Sequence, residues 1–193
     1  MLSRLNASWI IRGTSATGPS NNEQALITEL LSYRYDPLGF VQYAFPWQVE
    51  GTPLAKVEGP RTWQIDEFKR ISDHLMLDIE KQRIGLPGSP MYLAISSGRG
   101  IGKSAWLSML DMWVASCWIG STTIVTANTE TQLVTKTWRE VAKWHKMAAN
   151  REWFDWTATK IAHKAFPDDW YALAVPWSEN NAEAFAGKHE TNI

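Results

Sequence analysis

One cysteine, Cys117, is present among 193 residues. A single thiol makes neither an internal disulfide nor a cysteine-based zinc site. With no His or Asp paired to it, Cys117 reads as a small core residue in a reducing compartment. His74, His145, His163 and His189 lack metal-ligand spacing, which excludes a zinc site built on them. Long apolar runs are missing too. The longest, Ala105 to Ile119, is broken by Ser108, Asp111 and Ser116. Spanning a bilayer takes roughly 18 to 20 uninterrupted residues, so neither a transmembrane helix nor a membrane partner is expected. Nor does one sign of charge dominate: 19 basic and 20 acidic side chains leave a net charge of -1. Any contact with nucleic acid therefore has to be a local patch. No repeat occurs, and the only low-complexity stretch is Gly13 to Asn22. Residues 1–20 read as a flexible, cytoplasmic tail without a signal peptide. At about 150 residues per domain, the length suits one domain. What the chain has in excess is tryptophan, twelve in all, as core or as surface awaiting a partner.

The first part, residues 21–90, reads as helical. Asn22 is a candidate cap for a helix carrying Leu26, Ile27, Leu30 and Leu31 on one stripe, with Glu23 at its positive end. Asp36-Pro37 restarts a short helix with Phe40, Val41 and Phe45, and a Pro- and Gly-punctuated loop runs from Pro46 to Pro60. A long amphipathic helix from Thr62 to Arg83 follows, with Phe68, Ile71, Leu75 and Ile79 on one side. Over residues 91–193 the pattern changes. Met91 to Ile95 predicts a buried strand, Gly102 to Trp118 a helix, and Thr122 to Ala127 a second strand. Thr129-Glu-Thr-Gln132 has capping-box spacing and opens a helix whose Val134, Trp138, Val141 and Ala148 face inward. This alternation predicts an α/β fold, a right-handed parallel βαβ unit flanked by helices. Thr157 to Ala162 and Trp170 to Val175 predict an added hairpin, and Ser178 to Ile193 carries no strong signal.

The chemistry concentrates in Ser96-Ser-Gly-Arg-Gly-Ile-Gly-Lys-Ser104, which joins the first strand to its helix. A glycine-rich loop turns backbone N–H groups inward, and the helix behind it adds a positive end, so Ser97, Gly98, Arg99, Gly100, Ile101 and Gly102 form a candidate phosphate nest. Lys103 would bridge the β- and γ-phosphates of ATP, and the Ser104 hydroxyl would bind Mg2+. The strict motif wants glycine at Ser97; this chain supplies Gly98 and Gly100 instead. The alternative is a glycine-rich turn that binds nothing. Arg99 either reaches a phosphate or a neighbouring subunit, or is a solvated loop residue. Gln64 offers an amide to the edge of adenine, or is simply a helix-start residue. Lys136, Arg139, Lys143 and Lys146 share the face opposite the apolar stripe of their helix, either for DNA phosphates or as an ordinary charged exterior.

Taken together, the Gly-Arg-Gly-Ile-Gly-Lys-Ser104 loop, Gly59-Pro-Arg-Thr-Trp-Gln64, Thr126 to Trp138, Val175-Pro-Trp-Ser178 and Ala184-Phe-Ala-Gly187 resemble the large subunit of tailed-phage terminases, from about Asp36 to Gly187. The resemblance implies a P-loop NTPase core with a helical amino-terminal extension. It further implies an ATP- and Mg2+-dependent motor in the cytoplasm of the infected bacterial host, driving double-stranded DNA into a capsid. The partners it implies are the portal protein, the terminase small subunit and further copies in a homo-oligomeric ring. Gln64 becomes an adenine contact and Arg99 a catalytic arginine finger. The chain departs from that pattern after Lys103. No strand ending in a Mg2+-supporting Asp and followed by a water-positioning Glu is found before Ile193, so the motor part is expected to be carboxyl-terminally incomplete, ahead of those acids and of a nuclease domain. ATP binding is expected; turnover by this chain is not. The rivals are a helicase-like ATPase, whose downstream motifs are not visible, and a nucleotide-binding or oligomerisation module without turnover.

Overall fold

Helix caps and apolar spacing build the amino-terminal layer of a computed structural model that describes residues 20–176. Residues 1–19 of the expected tail and everything proposed for Trp177 to Ile193, including Ser178, Ala184 to Gly187 and His189, lie outside those residues; Ser20, the last residue given to the tail, belongs instead to the first helix as its cap. Helix α1 (Asn21–Ser32) starts at Ser20, two residues before the cap expected at Asn22. The reason is offset: Ser20 lies three before Glu23. Its Oγ accepts from Glu23 N at 3.3 Å while Glu23 Oε2 accepts from Ser20 N at 2.8 Å, closing a capping box. Asp36 caps α2 (Pro37–Ala44), with Pro37 at the first helical position. Helix α3 (Thr62–Arg83) has the expected bounds.

These helices pack on α4 (Lys103–Cys117), whose Met109, Met112 and Trp113 join Ile27, Leu30, Phe40 and Phe68 in the buried core. Trp106 packs against Trp63 and Phe68, with ring centroids 6.3 and 5.6 Å away. That contact fastens the start of α4 to the start of α3. Cys117 is buried and its Sγ donates to Leu30 O at 3.1 Å, the bland role expected of it.

Four strands form a mixed sheet: β1 (Thr122–Val125), β2 (Phe154–Trp156), β3 (Lys160–His163) and β4 (Tyr171–Ala174), in the order β1-β4-β3-β2. The expected hairpin is present as β3 and β4, and β2 adds antiparallel to β3. β1 and β4 make the parallel pair, with Thr122 opposite Tyr171 and Val125 opposite Ala174. The architecture is thus mixed α/β. The strand expected at Met91 to Ile95 departs from the sequence reading. It is not paired with any strand among the described residues, although Met91, Leu93 and Ile95 are half-buried while Tyr92 and Ala94 are exposed. A continuous apolar run favours burial, but a strand also needs a neighbour to pair with, which local sequence does not supply.

The helix after β1 begins at Glu130–Gln132 (α5), capped by Thr129 Oγ1, which accepts from Gln132 N at 3.1 Å. It passes through a π-helical stretch, Leu133–Trp138, into α6 (Arg139–Met147). The wider π turn shifts the phase. Leu133 and Trp138, five apart, are buried, whereas Val134, expected to face inward, is 43% exposed. Val141 and Ala148 are buried as expected. No helix among the described residues is long and apolar enough to cross a membrane.

Candidate nucleotide-binding site

The loop before α4 is held from one side by the start of α3. Arg61 Nη1 donates to Gly100 O at 3.4 Å, Trp63 Nε1 to Ile101 O at 3.0 Å and Gln64 Nε2 to Gly102 O at 2.9 Å. Three consecutive carbonyls are therefore turned toward α3. In a planar trans peptide the carbonyl and the following N–H point in opposite directions, so the N–H groups of Ile101, Gly102 and Lys103 face away from α3. None of the three has a backbone acceptor among the described residues. The path requires glycine: Gly100 has φ +77° and Gly102 φ +89°. At Gly102 a Cβ would also lie 3.0 Å from Gln64 Nε2.

On the open side lies a cavity of about 600 Å³, lined by the loop from Arg99 to Ser104 and by Gln132, Lys136 and Glu140. Gly102 caps α4 without a side chain, so the positive end of a fifteen-residue helix opens toward it. The Lys103 ammonium donates to Ser97 O at 2.9 Å, Ser97 Oγ at 2.7 Å and Gly98 O at 2.9 Å. Arg99 lines the cavity and is exposed, without an ion pair among the described residues. Ser104 is exposed at the same wall and offers a hard hydroxyl oxygen. That donor suits Mg2+, which takes one or two protein oxygens and completes its shell with phosphates and water. No cluster of three or more His, Cys, Asp or Glu able to hold a metal by itself occurs among the described residues.

Gln64 is buried, and both halves of its amide are engaged: Nε2 on Gly102 O, and Oε1 accepting from Arg61 N at 2.8 Å. Its cap role, one of the two sequence readings, is visible directly. The motif Gly59 to Gln64 thus works on the loop as a unit. Arg61 and Trp63 were not singled out in sequence; their signal was proximity to Gln64 in a segment with no apolar reason for a tryptophan. Gln132, Lys136 and Glu140 were missed as cavity residues, although their spacing of four places them along one helical face.

Glu140 is the carboxylate lining this cavity among the described residues, and it is already occupied. Its Oε1 accepts from Trp144 Nε1 at 2.9 Å and lies 3.5 Å from Lys143 Nζ. Two turns further along α4, Asp111 is buried and its pKa rises from 3.8 to about 7 because burial penalises the charged form. Asp111 does not line the cavity. Compared with known protein families, with curated proteins and with solved structures, the chain matches none.

Proposed function

We propose that this chain binds ATP with Mg2+ in the loop from Ser97 to Ser104, as the nucleotide-binding part of a DNA-packaging motor of the terminase large-subunit type. One observation carries the nucleotide reading. Three loop carbonyls are tied back to α3, which leaves consecutive N–H groups and a helix amino terminus facing away from α3, beside a cavity that Lys103 also lines. In this reading phosphate oxygens replace Ser97 and Gly98 as acceptors for Lys103, and Ser104 carries the metal. Gln64 acts on the nucleotide through the loop that it holds, and Arg99 reaches a phosphate of the same or a neighbouring site. The DNA, the portal, the small subunit and the ring rest on the terminase resemblance.

Measuring Mg2+-ATP affinity for the parent chain and for Lys103→Ala tests the site. Loss of charge-assisted contacts costs about 1.5 to 3 kcal/mol, roughly 10- to 150-fold in affinity. Equal affinities would remove the assignment. A second reading, a nucleotide-binding module without turnover, is favoured by Glu140: the carboxylate at the cavity is engaged with Trp144 and Lys143 instead of being free to orient water. In either reading the loop binds; hydrolysis separates the two.

A further inference from the structure

Three cations line the cavity beside the loop, Arg99, Lys103 and Lys136, against the one carboxylate of Glu140. They come from two different elements. Arg99 and Lys103 belong to the loop and the start of α4, whereas Lys136 stands on the helix that follows β1, together with Gln132 and Glu140. Arg139, Lys143 and Lys146, the cations that follow Lys136 in sequence, do not line this cavity. Lys136 is also left without a counterion. Glu140 lies four residues on, at a spacing where the two side chains could pair, but its Oε1 accepts from Trp144 Nε1 at 2.9 Å and lies 3.5 Å from Lys143 Nζ. Lys136 has no ion pair among the described residues. On α3, by contrast, Arg70, Lys81 and Arg83 are each paired with an acid three residues earlier. The backbone at Lys136 is unusual as well. It lies in the π-helical stretch Leu133–Trp138, whose wider turn buries Leu133 and Trp138 and leaves Lys136 exposed at the cavity. Such stretches re-aim side chains and are frequent at functional sites.

We propose that Lys136 makes this site select a nucleoside triphosphate over a diphosphate, by donating to the terminal phosphate from the helix that follows β1. The inference rests on the nucleotide reading above and deepens it. The N–H groups of Ile101, Gly102 and Lys103 are consecutive on one stretch of backbone, so they serve a polyphosphate from one side. The terminal phosphate carries three non-bridging oxygens and more charge than the phosphates behind it. Its outward oxygens need a donor on another element, and Lys136 is the cation that the rest of the chain supplies to this cavity. An ammonium without a counterion, beside two further cations, gains most where the anionic charge is densest. In that arrangement Lys103 touches the phosphates that both nucleotides share, and Lys136 touches only the one that the diphosphate lacks.

The test is calorimetric titration of the 193-residue chain and of Lys136→Gln, Lys136→Arg and Lys103→Ala with Mg2+-ATP and with Mg2+-ADP. Lys136 is exposed, so removing its charge puts little packing at stake. In Lys136→Gln, affinity for ATP should fall about 10- to 150-fold, the loss of one charge-assisted contact. Affinity for ADP should stay within about twofold of the parent value, because that nucleotide shares no contact with Lys136. Lys136→Arg should recover most of the preference for ATP, and Lys103→Ala should weaken both nucleotides. Equal losses for ATP and ADP in Lys136→Gln, or a loss for neither, would overturn the proposal. If Lys103→Ala still weakened both, the loop would remain the nucleotide site and only the role of Lys136 would fall. A parent chain that bound neither nucleotide would overturn both readings together.

Discussion

Asp111 is the residue whose environment agrees least with its chemistry. It is buried in the middle of α4, where the Thr123 side chain offsets only a small part of the cost of burying its carboxyl. With its pKa raised from 3.8 to about 7, the folded chain holds a proton between those values that the unfolded chain releases. The unfolded state binds fewer protons there, so stability falls as pH rises from about 4 to 7, by about 4 kcal/mol in all. His163 works in the opposite sense. Burial lowers its pKa from 6.5 to about 4, so the unfolded chain binds the extra proton and stability rises with pH over that interval, by about 3 kcal/mol. The two nearly cancel up to pH 6.5. Asp111→Asn removes only the first contribution. Denaturant melts from pH 4 to 7 should show the stability of Asp111→Asn relative to the parent growing by about 4 kcal/mol; a constant difference would mean that Asp111 is charged when folded. Sequence placed Asp111 in this helix but not its ionisation, which depends on α4 being covered from several sides.

At the scale of elements, what was legible was whatever local chemistry decides. Asp36-Pro37, the span Thr62 to Arg83, Thr129 as a cap and the β3–β4 hairpin all follow from caps, turn residues and period. Two features were not legible because they depend on partners. The run Met91 to Ile95 is apolar throughout and reads as a buried strand, yet no described strand pairs with it. The helix after Thr129 includes a π stretch, which a spacing of 3.6 residues does not anticipate. Its effect is a change of buried residue, Leu133 in place of Val134. Leu133→Ala should cost about 2 to 5 kcal/mol in chemical unfolding, and Val134→Ala less than about 0.5. Reversed costs would restore an uninterrupted α-helix and the inward face first expected. The same phase shift bears on the candidate site, since Gln132, Lys136 and Glu140 reach the cavity beside the loop from this stretch and its flanks.

For the whole molecule, the near-neutral charge hides a strong asymmetry. A net charge of -1 coexists with one wall that carries Lys103, Arg99 and Lys136 and continues into the row from Arg139 to Lys146. Sequence listed these cations on two separate segments; only the packing of α6 along α4 brings the loop and the row to a shared edge. The same holds for Gly59 to Gln64, which lies some 38 residues before the carbonyls that Trp63 and Gln64 hold. Motif order was readable and motif contact was not. The site therefore depends on the joint arrangement of α3, α4 and α6, with the loop backbone as its working part. Amide resonances of the labelled chain, followed as Mg2+-ATP and then tripolyphosphate are added, address that arrangement most directly. The N–H signals of Ile101, Gly102, Lys103 and Ser104 should move with both ligands, because the phosphates and not the base fill the loop. Unmoved loop amides, with shifts confined elsewhere, would contradict the account.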